Sequence, residues 1–118
     1  MPYYSGAIIA VPNANKQDYG EMAQKMWEIV KDHGCLGSFD NWGVDVPDGK
    51  VTSFPMAVKL KDDETVVFAW MEWPDKATAD KGMEVMMSDP RSKDLPEMPF
   101  DGMRMIWGGF EPLVHLTV

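Results

Sequence analysis

Along Thr65–Trp73 the side chains alternate between two faces of an extended chain. Val67, Ala69, Met71 and Trp73 share one face, and Val66, Phe68, Trp70 and Glu72 the other. Both faces are largely apolar, so the stretch reads as a central strand covered on both sides. Tyr3–Val11 repeats the pattern with smaller residues, Gly6, Ile8 and Ala10 against Ala7, Ile9 and Val11, and Pro12 ends it. From Lys16 to about His33 the period changes. Tyr19, Met22, Ala23, Met26, Trp27 and Val30 fall on one helical face, with Asn15 as the expected N-cap, Asp18 in the first turn and Gly34 as the stop. A second helix is predicted from Asp75 as cap to about Ser88, with Ala79, Met83, Met86 and Met87 inward and Pro90 ending it. Gly82 within it weakens the helix unless close packing on a strand offsets the cost.

Two further strands complete the pattern, Leu36–Val44 and Met103–Phe110; the Gly108-Gly109 pair of the latter signals a bulge or a close backbone approach. Val46-Pro47-Asp48-Gly49-Lys50 opens a long insertion before the central strand. Within it, Phe54, Met56, Val58 and Leu60 alternate as in a strand, while Ser53 and Pro55 could equally start a short helix. Leu95, Pro96, Pro99 and Phe100 make an irregular arm. The order strand, helix, strand, insertion, strand, helix, strand is that of the split βαβ, ferredoxin-like arrangement, an α+β protomer formed as a single domain over residues 1–118. Two apolar sheet faces and only two sizeable helices leave one face uncovered. The expected remedy is a homodimer in which two sheets pack face to face.

Composition narrows the classes of function. A formal charge of −8 opposes phosphate neutralisation, and no Lys/Arg cluster offsets it, so nucleic acid is not an expected partner. No apolar run approaches a membrane span, and MPYYSGAIIAVPNANK has no basic stretch ahead of its short apolar segment. The expectation is a soluble cytoplasmic protein. The single Cys35 excludes an intrachain disulfide. Eleven Met and five Trp suit either ordinary core filling or a roomy, adaptable pocket.

The candidate chemistry lies in ionisable residues set among apolar neighbours. Asp40, Glu72 and Arg104 are the candidate catalytic groups, since a buried charge must be paired, shifted in pKa or in contact with a ligand. Trp42, Trp70 and Trp107, with Trp73, could line a pocket for a flat ligand, and Arg91, like Asp89, could face a cleft. Structural salt bridging and core packing are the competing explanations. His33 and Cys35 are too few to make a zinc site and read as a helix end and a small buried residue, so neither metal nor cofactor is expected. There is no phosphate loop, nucleophile elbow or Ser/His/Asp order.

The stretches AVPNANKQDY (10–19), WGVDVPDGKVTSFPMAVK (42–59), DETVVFAWMEWPDKATAD (63–80), SDPR (88–91) and MPFDGMRMIWGGFEP (98–112) resemble the YbaA-like family, an uncharacterised bacterial family also called domain of unknown function 1428. The resemblance spans nearly the whole chain. It implies the dimeric α/β-barrel superfamily, with ferredoxin-like protomers joined through their sheets, and tips Ser53–Leu60 toward a short helix. That superfamily includes cofactor-free monooxygenases and isomerases, and haem-degrading oxygenases that carry an iron-ligating histidine on the second helix. Asp75–Ser88 has no histidine, which disfavours haem degradation. Two functional expectations result. One is a cofactor-free monooxygenase or isomerase acting on an aromatic or polyketide-like small molecule, with Asp40 or Glu72 moving a proton and Arg104 stabilising negative charge. The other is a non-enzymatic ligand-binding or structural homodimer.

Overall fold

The two longest alternating stretches pair antiparallel over their whole length, Tyr3 opposite Trp73 and Pro12 opposite Glu64. They form the centre of the computed structural model, which describes residues 1–118. Four strands make one antiparallel sheet: β1 (Tyr3–Pro12), β2 (Gly37–Trp42), β3 (Glu64–Trp73) and β4 (Ile106–Phe110), in the order β2-β3-β1-β4. The helices are α1 (Lys16–Val30), α2 (Phe54–Ala57) and α3 (Lys76–Ser88). The chain is thus α+β, with the split βαβ order expected from its hydrophobic pattern.

Helices α1 and α3 cover the face formed by the odd-numbered residues of β1 and β3. Ile9, Val11 and Val67 pack with Tyr19 and Met22 of α1, while Trp73 packs with Val30, Cys35 and Ala79. Trp73 is fully buried, and its indole N–H donates to Ser5 Oγ at 3.1 Å. Gly82 of α3 lies against that ring. A Cβ there would stand 2.6 Å from Trp73 and 3.0 Å from the His33 carbonyl, so the glycine is what lets α3 seat on the sheet. The cap at Asp75 is formed, its carboxylate accepting from Thr78 N at 2.7 Å. The stop at Gly34 is formed too, with φ +99° after a 3-10 turn over Lys31–His33.

Three local expectations need correction. Asn15 stands at the N-cap position of α1, but its side chain makes no cap bond and instead donates to Pro99 O at 2.9 Å, tying down the irregular arm. Met87 is exposed, because eight residues beyond Ala79 it has rotated about 80° out of the inward arc, which Ala79, Gly82 and Met86 occupy. The last strand begins at Ile106 rather than Met103. Asp101 accepts from Met103 N at 3.0 Å and caps a 3-10 turn over Gly102–Arg104 before β4 can start. The glycine pair in β4 makes no bulge, since Gly109 opposes Ser5 and Gly108 opposes Gly6 in unbroken register. It permits a close approach, because a Cβ on Gly109 would coincide with the Tyr3 phenol.

The second sheet face is covered at one end only. In the connection between β2 and β3, Ser53 caps α2 by accepting from Met56 N at 3.1 Å, so the Ser53–Leu60 ambiguity resolves to a short helix. Directly after it, Val58 is fully buried against Ala10 and Val66, with Ile8 and Leu60 around them. The rest of that face is open. Phe68 stacks edge-on with Trp70, and Trp70 lies flat on Phe39 at 5.2 Å. Phe39, Phe68, Ile106 and Phe110 are each between 42% and 59% exposed, far more than their covered counterparts Ile9 and Val67.

Candidate functional site

Between the sheet and the helices lies a cavity of about 550 Å³. Its wall is methionine-rich. Met22 and Met26 come from α1, Met83 and Met86 from α3, Met71 from β3, and Met98 and Met105 from the arm that leads into β4. Each of the three regular elements supplies methionine because its inward positions recur at helical or strand spacing. The arm closes over them: Phe100 packs on Tyr19 at 5.8 Å between ring centres, and the Asn15 bond to Pro99 holds the backbone beside it. Volume and lining are those of a small-molecule pocket.

The polar groups on this wall are few. Tyr19 is almost wholly buried, and its phenol donates to Asp40 Oδ1 at 2.7 Å across the gap between α1 and β2. Burial, together with the bond and the charge of Asp40, pushes the Tyr19 hydroxyl well above its ordinary pKa, so it remains a donor. No cation lies within salt-bridge distance of Asp40, and no Lys, Arg or His lines the cavity. Asp80, the other carboxylate on the wall, is paired with Lys76 at 2.6 Å.

A second concavity of about 650 Å³ lies on the open sheet face, lined by Tyr4, Ile8, Phe68, Trp70, Ile106 and Phe110 among others. It is a shallow trough over a flat aromatic plane. The Tyr4 hydroxyl donates to Glu72 Oε1 at 3.3 Å on this face. The Tyr4 phenol is pushed up by desolvation first and by Glu72 second.

The structure does not bring Asp40, Glu72 and Arg104 together. Asp40, opposite Ala69, faces the helices, whereas Glu72, opposite Tyr4, faces the open side. Arg104 lies outside the strand that the sequence suggested for it. Its guanidinium grips Glu64 through two bonds of 2.7 and 2.6 Å, Asp101 at 2.9 Å, and the carbonyls of Lys59 and Val58 at 3.0 and 3.4 Å. Lys59 has φ +49°, the one non-glycine residue in the left-handed region, and Arg104 fastens that turn to the foot of β3. The contact with Arg104 holds the Glu64 carboxyl below its ordinary range, and both partners raise Arg104. These bonds engage all three guanidinium nitrogens and hold Arg104 at the foot of β3, away from the cavity lining.

Of the expected aromatic pocket, Trp70 and the largely exposed Trp107 both line the open-face trough and the methionine-walled cavity, whereas Trp42 lies apart on the helix side with Lys16 Nζ over its ring at 5.0 Å. Arg91 braces the ends of the two long helices, donating to Asp89 from two nitrogens, to Asp32 at 2.8 Å and to the Glu28 carbonyl at 2.9 Å. Asp89 also meets His33 Nε2 at 3.0 Å, and Arg91 foremost holds its carboxyl well below the usual range. Cys35 is buried, its thiol donating to Gly37 O at 3.2 Å and raised by burial. Sequence reasoning placed Tyr19 among the apolar face residues of α1 and missed its hydroxyl. The only hint was a phenol on an otherwise apolar helical face with an aspartate in the following strand.

The family described as "Protein of unknown function (DUF1428)" matches residues 2–102. The chain is 50% identical over 115 residues to the uncharacterised protein YbaA of Escherichia coli K12, covering 97% of this chain and 98% of that one. The YbaA protein of Shigella flexneri matches to the same extent. Among solved structures, a dimeric ferredoxin-like protein from an uncultured marine organism aligns over the full length of both chains, with a TM-score of 0.54 at 13% identity. That likeness supports a ferredoxin-like fold of the kind the strand order describes. On the extent of the family match and the identity to YbaA, the chain belongs to the DUF1428 family of proteins of unknown function.

Proposed function

We propose that this protein is a small-molecule-binding homodimer. Two copies join through their open sheet faces, and each copy holds its ligand in the methionine-walled cavity on the other side of the sheet. The observation that carries the reading is the cavity itself, about 550 Å³ between sheet and helices, with the Tyr19–Asp40 pair as its polar mark. The open face supports the pairing of copies, because Phe39, Phe68, Trp70, Ile106 and Phe110 form a contiguous apolar surface of a kind soluble monomers rarely leave bare. The covered end of that face, at Val58, Val66 and Ala10, sets the limit of the contact. The dimeric ferredoxin-like neighbour supports the same arrangement.

A second reading, proton transfer on the bound molecule, is favoured by one feature. Asp40 Oδ1 accepts from Tyr19, while Oδ2 has no partner within the chain and is free to take a proton from a ligand carbon and return it to a neighbouring one. Binding ranks ahead of this because Glu72 and Arg104, the other groups such chemistry would draw on, stand elsewhere.

Native mass spectrometry of protein taken directly from cells tests both. The proposal expects a dimer carrying a releasable small molecule. Transfer of that complex into heavy water separates the two readings, since a proton-transfer site introduces deuterium into the ligand and a binding site does not. A ligand-free monomer that also fails a broad ligand screen would refute the proposal.

A further inference from the structure

The polarity of the cavity restricts what it can hold. Its wall contains two carboxylates and no positively charged side chain, and of the two only Asp40 lacks a cation, since Asp80 is neutralised by Lys76. The phenol proton of Tyr19 points at Asp40, so the phenol oxygen offers the cavity an acceptor rather than a donor. An anion entering this space would lose hydration, meet no cation, find only the neutral hydroxyls of Tyr3, Ser5 and Ser38 as donors, and face the Asp40 charge. A cation would gain a charge-assisted hydrogen bond to Asp40 Oδ2, which lines the cavity yet stays exposed to solvent, so the ammonium group need not be fully desolvated to reach it. The surroundings favour the same sign, because thioether sulfurs are polarisable and the faces of Tyr3, Phe100 and Trp107 are negative. The net charge of −8 draws cations toward the molecule as a whole.

We infer that the ligand of this cavity is an apolar amine, an ammonium group on an aromatic or aliphatic body, with Asp40 as its counter-ion. The inference rests on the reading of the cavity as a ligand site and adds the chemical class. Seven flexible methionines around one fixed charge specify the head of the ligand strictly and its body loosely, the combination found where a pocket accepts several shapes.

Three matched probes test it: 1-naphthylmethylamine, 1-naphthylmethanol and 1-naphthylacetic acid, titrated into the full chain labelled with ¹³C at the methionine methyl groups. Met1, Met56, Met87 and Met103 lie outside the cavity and serve as internal references. The expected result is shifts confined to the seven cavity methyls, with the amine binding about tenfold or more tighter than the alcohol and the acid weakest. Asp40→Asn should bring the amine down to the alcohol's affinity while alcohol binding persists, which also shows that the variant is folded. Acid binding equal to or tighter than amine binding would overturn the inference and leave the cavity as a ligand site. Should none of the three probes move the cavity methyls, the inference and the ligand-site reading fall together.

Discussion

The two faces of the sheet begin from the same strands and end as different kinds of surface. On the covered face, β1 and β3 contribute Ala7, Ile9, Ala69 and Met71, small or flexible residues that leave a void between sheet and helices. On the open face the same strands contribute Ile8, Phe68 and Trp70, and rigid rings fill a flat plane without enclosing anything. Each face carries a single tyrosine–carboxylate hydrogen bond, Tyr19 to Asp40 at 2.7 Å and Tyr4 to Glu72 at 3.3 Å. Side-chain shape, rather than hydrophobicity, separates them. Flexible chains around a gap can mould to a guest, while stacked rings offer large contact area at little cost in conformational entropy and suit a second protein surface.

The sharpest way to break this contrast is to charge the open face. Phe68→Glu sets a carboxylate within the aromatic plane, where the proposed pairing would strip it of water. Self-association should weaken by more than about 100-fold, and sedimentation equilibrium at micromolar concentration should then give the mass of one chain instead of two. The cavity should remain intact, since Phe68 points away from it. A Phe68→Glu protein that remains dimeric would show that copies meet elsewhere.

How much of this contrast could be read from the sequence follows from how local each determinant is. Asp75 as cap, Gly34 as stop and the two apolar parities of β3 depend on residues a few positions apart, and all are found as read. The partners of Arg104 and Arg91 lie as far as 40 and 59 residues away, so the sequence leaves a catalytic or ligand-binding role and structural salt bridging both open, and only the fold supplies the ion pairs. Eleven methionines hinted at an adaptable space, but the cavity is assembled from two helices, a strand and an arm whose facing is decided only by the fold. Of the two strand carboxylates offered as candidate catalytic groups, Asp40 lines the cavity and Glu72 faces the other side, because alternation along a strand does not say which parity the helices will cover.

Arg104→Met should give the largest loss of stability among the tethers, because it strands Glu64, whose side chain is only 4% exposed, and releases the left-handed turn at Lys59. A fall in melting temperature of about 10 °C is expected. The pH dependence identifies the cause. In the native protein Glu64 has a lowered pKa, so its contribution is present above the unfolded carboxylate range near pH 4.5 and is lost as pH falls through the folded value. Without Arg104 the buried carboxyl is raised instead, and the variant recovers as Glu64 takes up a proton. The difference between the two proteins should therefore narrow from pH 7 to pH 4. A constant gap would mean that the arginine acts through packing alone.

Gly82→Ala probes the seat of α3 on the covered face. Alanine favours a helix by up to about 1 kcal/mol, but here its methyl would press on Trp73 and the His33 carbonyl, and overpacking costs about 1–3 kcal/mol. A net loss of about 1 kcal/mol in urea unfolding is expected. A stabilised variant would show that α3 can move outward, and that the cavity has more freedom than the packing around Trp73 implies.

The smallest expected effect distinguishes the two tyrosine–carboxylate pairs most directly. Tyr19→Phe removes a buried hydroxyl and one charge-assisted bond at constant shape, a loss of about 1 kcal/mol near pH 7. The native Tyr19 phenol is raised by burial and by Asp40, so its contribution is complete below the unfolded tyrosine pKa near 10 and is lost as pH rises past it, where the unfolded chain ionises and the folded one does not. Tyr4 has the same sign, but its bond to Glu72 is longer and lies on the open face. Stability of the native protein should therefore decline between pH 10 and 11. Tyr19→Phe should flatten that limb more than Tyr4→Phe does, provided both are measured as dimers at one concentration so that assembly does not contribute to the slope. Equal flattening would place the two phenols in equivalent surroundings and remove the distinction between an enclosed polar group on one face and one on the open face of the sheet.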